Sequence, residues 1–509
     1  MYEKIGSGGS RRAFLGTTGM IAGGLTACGL WPVSAPGQVS CAAPVPLSRP
    51  EVPAKPYNFS AHAPTRRRKC LHEVAANSAD LAKLTRAVGK LKDLMSNPAD
   101  PLNWCNQANM HLKHCSDRSG NYLLVHFGWH FLPWHRAYLY FYESILGHLI
   151  DDPSFALPYW DWTTNPYVPP PFFDTGSPLH DRNRDISATS VVTPTSDPET
   201  YNVIRPESIS YILTRPNFTT GPEGGTSFGG SPDRNQGSTG FQGLLEAGPH
   251  NAMHSWVGGD MGSFSTAARD ILFFAHHANV DRLWNVWLST KATPSHMNPT
   301  QPAWTDQWFN FFAPDGSAVS AKTSDLIDSA KVNVVYDPCH RPVPEAVAKP
   351  QPPKIEFDPL GPPMTVDAEV HRPARAVADA AGPYQGDEVQ VRGVELPHEL
   401  TLRLRVFIDK ADADVNTSLD DPHYAGTIFV VGAGEGNMDG HDQPKGQDPH
   451  GIRNFILPVA TKAASSLGRG DNKTKLTLVP VVKRSTVVKD AVPRGVTIKV
   501  KSASVIAGP

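Results

Sequence analysis

Two periodicities divide the chain. From His72 to Leu94 apolar residues return every three or four positions, the spacing of one helix face, and the core is expected to be mainly helical. Between about residues 165 and 240 Pro, Gly, Ser, Thr and Asn dominate, which predicts long loops. Residues 41–65 are proline-rich and should wrap the core, and Pro342–Pro363 reads as an extended linker. Beyond about residue 385 the period shortens to two, as in Glu388-Val-Gln-Val-Arg-Gly-Val394 and Thr401-Leu-Arg-Leu-Arg-Val-Phe-Ile408. Further runs at Gly426–Val431, Lys475–Val482 and Gly495–Val500 complete the pattern of an antiparallel β-sandwich. The expected organisation is multidomain: an amino-terminal segment over 1–40, a mainly α-helical core over 41–340, a linker over 341–385 and a β-sandwich over 386–509.

A chain of 509 residues with 40% hydrophobic content and a formal charge of −2 can bury a large core and offers no electrostatic reason to bind nucleic acid. Its longest basic run, Arg66-Arg-Arg-Lys69, is expected to be a solvated loop. Ser10-Arg-Arg-Ala-Phe-Leu15, followed by the glycine-laden stretch to Leu30, has the form of a twin-arginine export signal and is a poor membrane span. Leu25-Thr-Ala-Cys28 has the form of a lipobox, so Cys28 is a candidate lipid anchor. With only twelve residues up to the second arginine, the expectation is bacterial export to the periplasm or outside, with the thylakoid lumen as the alternative.

Chemistry concentrates in histidines. His111 and His114 precede the run Val125-His-Phe-Gly-Trp-His-Phe-Leu-Pro-Trp-His135; a second group runs from His250-Asn-Ala-Met-His254 to the pair His276-His277. His250 and His254, at i and i+4, share a helix face and can aim two imidazoles at one ion. No carboxylate or cysteinate holds a comparable position, and an all-imidazole set favours a soft or borderline ion such as copper over magnesium or calcium. His62, His72, His180, His340, His371 and His398 stand alone and are expected to be ordinary core or surface residues.

Five segments, Gln107–His111, Val125–Glu143, Leu157-Pro-Tyr-Trp-Asp-Trp162, Glu246–Trp256 and Phe264–Trp284, resemble the type-3 dicopper phenol oxidases: tyrosinase and catechol oxidase, in their plant polyphenol oxidase branch. The resemblance implies a four-helix-bundle site for two copper ions, the first held by His111, His126 and His135, the second by His250, His254 and His277. His276 is then a neighbour, and His114 and His130 are rivals, with Pro133 expected to break the helix between His130 and His135. Cys115 would form a thioether to His126, although Leu112 stands where the plant pattern has a second cysteine. Glu246 and Asn251 would hold a water that deprotonates a monophenol, and Phe264 would gate the second copper; Asp281, one turn after His277, either orients a ligand imidazole from behind or caps or pairs with Arg282.

The same resemblance makes the carboxy-terminal region a cover over the copper entrance, hence a latent enzyme. Its substrates would be phenols and dioxygen, with Met253, Ser255, Met261 and Phe264 tuning the choice. The alternatives are a catechol oxidase without monophenolase activity, a type-3 oxygen carrier, or a zinc hydrolase. Cys70 and Cys105 are the expected disulfide pair. Oligomeric state is left open.

Overall fold

Asn77 accepts hydrogen bonds from the backbone N–H groups of Ala79 and Asp80 and so starts α2, Ser78–Asp93, whose Leu84, Ala87, Val88 and Leu91 are buried at helical spacing. It packs on α4, Phe131–Leu149, a helix buried from Phe131 to Gly147. The computed structural model describes residues 41, 53–59, 64–116, 125–185, 189–219, 225–232, 240–290, 296–340, 355–372, 384–397, 400–432, 452–467, 472–484 and 496–507. Apart from Cys41, the amino-terminal unit, Met1–Cys41, lies outside them, as do the twin-arginine and lipobox segments; Ala42–Pro509 form the second unit, described here.

The helical core consists of α1 (Leu71–Ala76), α2, α3 (Trp104–Ser116), α4, α5 (Pro198–Ile204), α6 (Pro206–Leu213), α7 (Asn251–Val257) and α8 (Ile271–Ser289). α5 and α6 fall inside the stretch expected to be loop. Asp197 caps α5 through Thr200 N at 3.1 Å, and Pro198 pre-sets its first turn. Asp270 caps α8 through Leu272 N at 2.9 Å. Pro133 does not break a helix. It occupies the first turn of α4, where its missing N–H costs nothing, and His130 lies just before that helix.

The expected solvated loop at Arg66–Lys69 is instead β2, Arg66–Arg68, paired in parallel with β5, Val334–Tyr336. Alternate residues point inward, and Arg68, 1% exposed, donates from Nε and Nη2 to Glu143 of α4 (2.6 and 2.9 Å) and from Nη1 to Asp281 of α8 (3.0 Å). A second small sheet joins β1 (Lys55–Pro56) to the hairpin β3 (Trp308–Phe312) and β4 (Ala318–Lys322). The disulfide is Cys70–Cys339, not Cys70–Cys105; Cys105 belongs to a different one.

The carboxy-terminal region is one sheet, not a sandwich. Its strands are β6 (Phe357–Pro359), β7 (Met364–His371), β8 (Tyr384–Glu395), β9 (Leu402–Ile408), β10 (Tyr424–Val430), β11 (Ile452–Ala460), β12 (Lys473–Lys483) and β13 (Ser502–Ile506), in the order β10-β9-β12-β7-β13-β8-β11 with β6 beside β12. All pairs are antiparallel except β13 with β7. The end strands approach each other: Arg453 of β11 donates to Val431 O at 3.0 Å, and Leu457 of β11 packs against Gly426 of β10. The sheet is therefore nearly closed around Val389, Val391, Leu404, Val406, Leu476, Leu478 and Val505. A two-residue period shows that strands form, but not which edges meet. β6 and β7 come from the stretch read as linker, and of the run Gly495–Val500 the described residues, 496–500, contribute a bridge from Lys499 to Glu395 and no strand.

The sheet is docked on the helical core by buried charge. Arg403 of β9 donates to both carboxylate oxygens of Asp197 at 2.8 Å and to Glu199 of α5 at 3.1 Å. Arg405 takes both oxygens of Glu199 at 3.1 Å, and Thr427 of β10 donates to the same carboxylate at 2.7 Å. Lys483 of β12 donates to the carbonyls of Ser255 and Trp256 at 2.8 and 3.0 Å, where the negative end of the α7 dipole welcomes a cation.

Candidate metal centre

Four helical segments and one loop bring the histidines together. His111 stands on α3, His135 on α4, His254 on α7, and His276 and His277 on α8. His250 ends a π-turn, Glu246–His250, that runs into α7, and His126 lies in the loop before α4. His250, His254, His276 and His277 bring ring nitrogens within 4.8 Å of one another, and His111, Cys115 and His126 form a second such group. His135, in neither group, bridges them: its ring stacks on His277 at 4.1 Å and lies 5.1 Å from His126, while His126 lies 5.9 Å from His250.

Hydrogen bonding selects which nitrogen each ring can offer. Nδ1 of His111 faces Phe264 O at 2.9 Å, that of His135 faces Phe131 O at 2.7 Å, and that of His254 faces Met261 O at 2.7 Å. Nδ1 of His250 faces Oδ1 of Asn251 at 3.0 Å. Each partner is an acceptor, so Nδ1 carries the proton and Nε2 keeps a lone pair. Among the described residues, Nε2 of His135, His250, His254 and His276 is buried without a hydrogen bond, as are both nitrogens of His277. Burial lowers the pKa of His135 to about 3 and of His254 to about 4, and drives those of His111, His250 and His277 well below the usual value. All five are neutral at physiological pH. Buried neutral imidazoles with converging lone pairs fit soft or borderline metal ions, and copper in particular.

His276 differs, because its Nδ1 accepts from the indole Nε1 of Trp162 at 3.1 Å. The rivals lie apart: His114 bonds Met110 O at 2.9 Å and packs on Trp134, and His130 packs between Trp129 and Phe309. His72, expected to be ordinary, is buried against Tyr167.

Cys115 is buried as a thiol with Sγ 3.0 Å from Nδ1 of His126 and 3.2 Å from Nε2 of His111. Glu246 accepts from Phe127 N at 3.0 Å and from Gln242 Nε2 at 2.8 Å. Asn251 donates to Gln242 Oε1 and to Phe429 O, both at 3.1 Å. Gln242 thus ties the carboxylate to the amide; it precedes the helical turn, and the sequence reading missed it, with only its place four residues before Glu246 as a signal. Phe264 is buried, with its ring 4.3 Å from that of His126 and its N–H on Gly432 O at 2.9 Å, so it lies over the first histidine group rather than the second alone.

Asp281 does not orient His277. Its oxygens take Arg136 Nε at 2.6 Å, Arg68 Nη1 at 3.0 Å and the hydroxyl of Tyr336, while Arg282 pairs with Asp161 at 3.4 Å. The carboxylate points away from the ligand face of α8 and locks α8 to α4 and β2. One helical turn places a side chain near a ligand without aiming it there.

Residues 101–290 match the family model described as the common central domain of tyrosinase. The chain is 34% identical to polyphenol oxidase E, chloroplastic, of Solanum lycopersicum over 60% of its own length and 54% of that protein's. It is 30% identical to polyphenol oxidase B, chloroplastic, of the same plant over 86% and 78%. The fold resembles the structure of latent apple tyrosinase with a TM-score of 0.62 and 25% identity, covering 89% of this chain and 99% of that one. These relatives correct the expectation of bacterial export, since the similar curated proteins are chloroplastic plant enzymes. A twin-arginine pattern serves thylakoid transfer as well as bacterial export, so those residues could not separate the two routes. Among the described residues no helix is long and apolar enough to cross a membrane.

Proposed function

The chain belongs to the tyrosinase and polyphenol oxidase family, and from that premise we propose that it oxidises phenols with dioxygen, converting o-diphenols to o-quinones and hydroxylating monophenols. The observation that carries this reading is the meeting of two histidine groups whose Nε2 lone pairs converge in a buried space. His111, His126 and His135 hold one copper; His250, His254 and His277 hold the other. α3, α4, the turn leading into α7, and α8 act as the bundle that frames them. The copper pair supplies the redox chemistry with dioxygen, and two diphenols give up the four electrons that reduce it to water.

The protein's own part is binding, orientation and proton handling. A phenol, with a pKa near 10, must lose its proton before its oxygen becomes a good ligand. Glu246, held by Phe127 N–H and Gln242, with Asn251 beside it, positions a water that takes this proton. Phe264 offers a ring against which an aromatic substrate stacks. Cys115, once cross-linked to His126, removes that ring's freedom to rotate.

In the full chain the carboxy-terminal sheet covers this region. Phe264 N–H bonds Gly432 O, Thr401 bonds Gly262 O, and Phe429 O holds Asn251. The enzyme is therefore latent until the sheet leaves, in the setting of the thylakoid lumen. Oxygen uptake by copper-loaded protein tests this, offering tyramine and then 4-methylcatechol before cleavage and again after a cut between Cys339 and Phe357, beyond the Cys70–Cys339 disulfide, and removal of the released sheet. Uptake with both after cleavage supports the reading. Catechol alone leaves a catechol oxidase, and no uptake despite two bound coppers leaves an oxygen carrier.

A further inference from the structure

We propose that Trp162 decides which of the two adjacent histidines of α8 binds the second copper. The inference rests on the dicopper reading above. Distance alone does not choose between them. The ring of His276 lies 5.2 Å from His250 and 4.9 Å from His254, while that of His277 lies 4.9 and 5.7 Å away. All four rings offer nitrogens within 4.8 Å of one another, so by proximity His276 completes a trio as well as His277 does.

The difference lies at Nδ1. An indole N–H can only donate, so at His276 the Nδ1 lone pair is spent on Trp162 and the neutral ring carries its proton on Nε2. A protonated nitrogen has no lone pair for a metal. At His250 and His254 the polarity is reversed, because their Nδ1 partners are oxygens, and His277 is constrained at neither nitrogen. Trp162 therefore fixes the proton of His276 on Nε2, a nitrogen buried without a hydrogen-bond acceptor among the described residues, and leaves His277 to ligate. A fourth imidazole on the second copper would fill a coordination position that substrate needs.

Trp162 is well placed to enforce this. It is fully buried, and its segment is registered on α8 around the histidine pair. Trp160 N–H donates to the carbonyl of Ala275 at 2.8 Å, Trp162 N–H folds back on Trp160 O at 2.9 Å, and Arg282 reaches Asp161 at 3.4 Å. The indole cannot swing away without breaking contacts on both sides of His276 and His277.

Copper content per folded chain, with coordination number from X-ray absorption, tests the assignment in the full-length protein. His277→Gln should drop the content from two coppers to one. Adding Trp162→Phe should restore the second copper by freeing the Nε2 lone pair of His276, and adding His276→Gln to that double variant should remove it again. His276→Gln alone, which keeps Trp162 and serves as the check if Trp162→Phe does not fold, should still bind two. The proposal is overturned if His276→Gln costs a copper, if His277→Gln keeps both, or if Trp162→Phe folds and rescues nothing. An unaltered protein that binds no copper would instead overturn the dicopper reading.

Discussion

The backbone carbonyl of Phe429 accepts a 3.1 Å hydrogen bond from the side-chain amide of Asn251. Phe429 belongs to β10, and Asn251 is the residue after His250. The other amide hydrogen goes to Gln242, and Oδ1 faces His250. While the sheet is docked, both amide hydrogens of Asn251 are taken and none is left for a water, so under the proposed function docking would silence proton removal from a monophenol as well as cover the entrance.

In protein freed of the sheet, Asn251→Ala and Glu246→Gln should each reduce tyramine hydroxylation by about 100-fold, the usual scale for a lost general base, and affect 4-methylcatechol far less. The ratio of kcat/KM for the two substrates measures this. Equal losses on both would show that the pair shapes the pocket and handles no proton.

Acid should loosen the sheet. Burial alone would raise the pKa of Asp197, but Arg403 and Thr200 outweigh it and hold the carboxylate below its usual range. A depressed folded pKa contributes stability above the ordinary carboxylate pKa of about 4, and that contribution fades as pH falls through the lower folded value. Activation of the uncut protein should therefore begin only below about pH 4, and in Arg403→Met it should appear at neutral pH. A neutral-pH Arg403→Met that stays fully latent would remove this cluster from the docking.

Asp281→Ala should cost about 3–5 kcal/mol in denaturant unfolding, because it leaves Arg68 and Arg136 buried without their shared partner. Loss of copper from a variant of unchanged stability would instead return Asp281 to the support of His277.

Copper-loaded, aerated protein should be two hydrogens lighter than the apo chain if Cys115 joins His126, and Cys115→Ser should abolish that difference in intact-mass measurement. Sγ already lies 3.0 Å from the ring. Unchanged mass after repeated turnover would leave Cys115 a free thiol.

The histidine clusters were legible because part of their order is local, with His250 and His254 at i and i+4 and His276-His277 as a pair; the choice of ligands among them came from the family resemblance. What organises them was not legible, because it arrives from far away in sequence. Arg68 reaches Asp281 across 213 positions, and nothing in Arg66-Arg-Arg-Lys69 says that alternate residues of a strand turn inward toward carboxylates. Alternation likewise announced β8, β9, β10 and β12, yet it carried no information on closure, which depends on β10 meeting β11. The Trp162 contact fell in a recognised segment whose purpose the sequence did not state.

The nearly closed sheet changes what a cut in the chain accomplishes. Because β6 begins at Phe357 and β13 ends at Ile506, cleavage before β6 leaves every described strand in one piece, still held by Arg403, Arg405 and Lys483. Cleavage then converts an intramolecular contact of high effective concentration into an ordinary bimolecular equilibrium. The cut enzyme should wake on dilution and fall silent again when excess released sheet is added back, so that abundance as well as proteolysis sets how much of it is active.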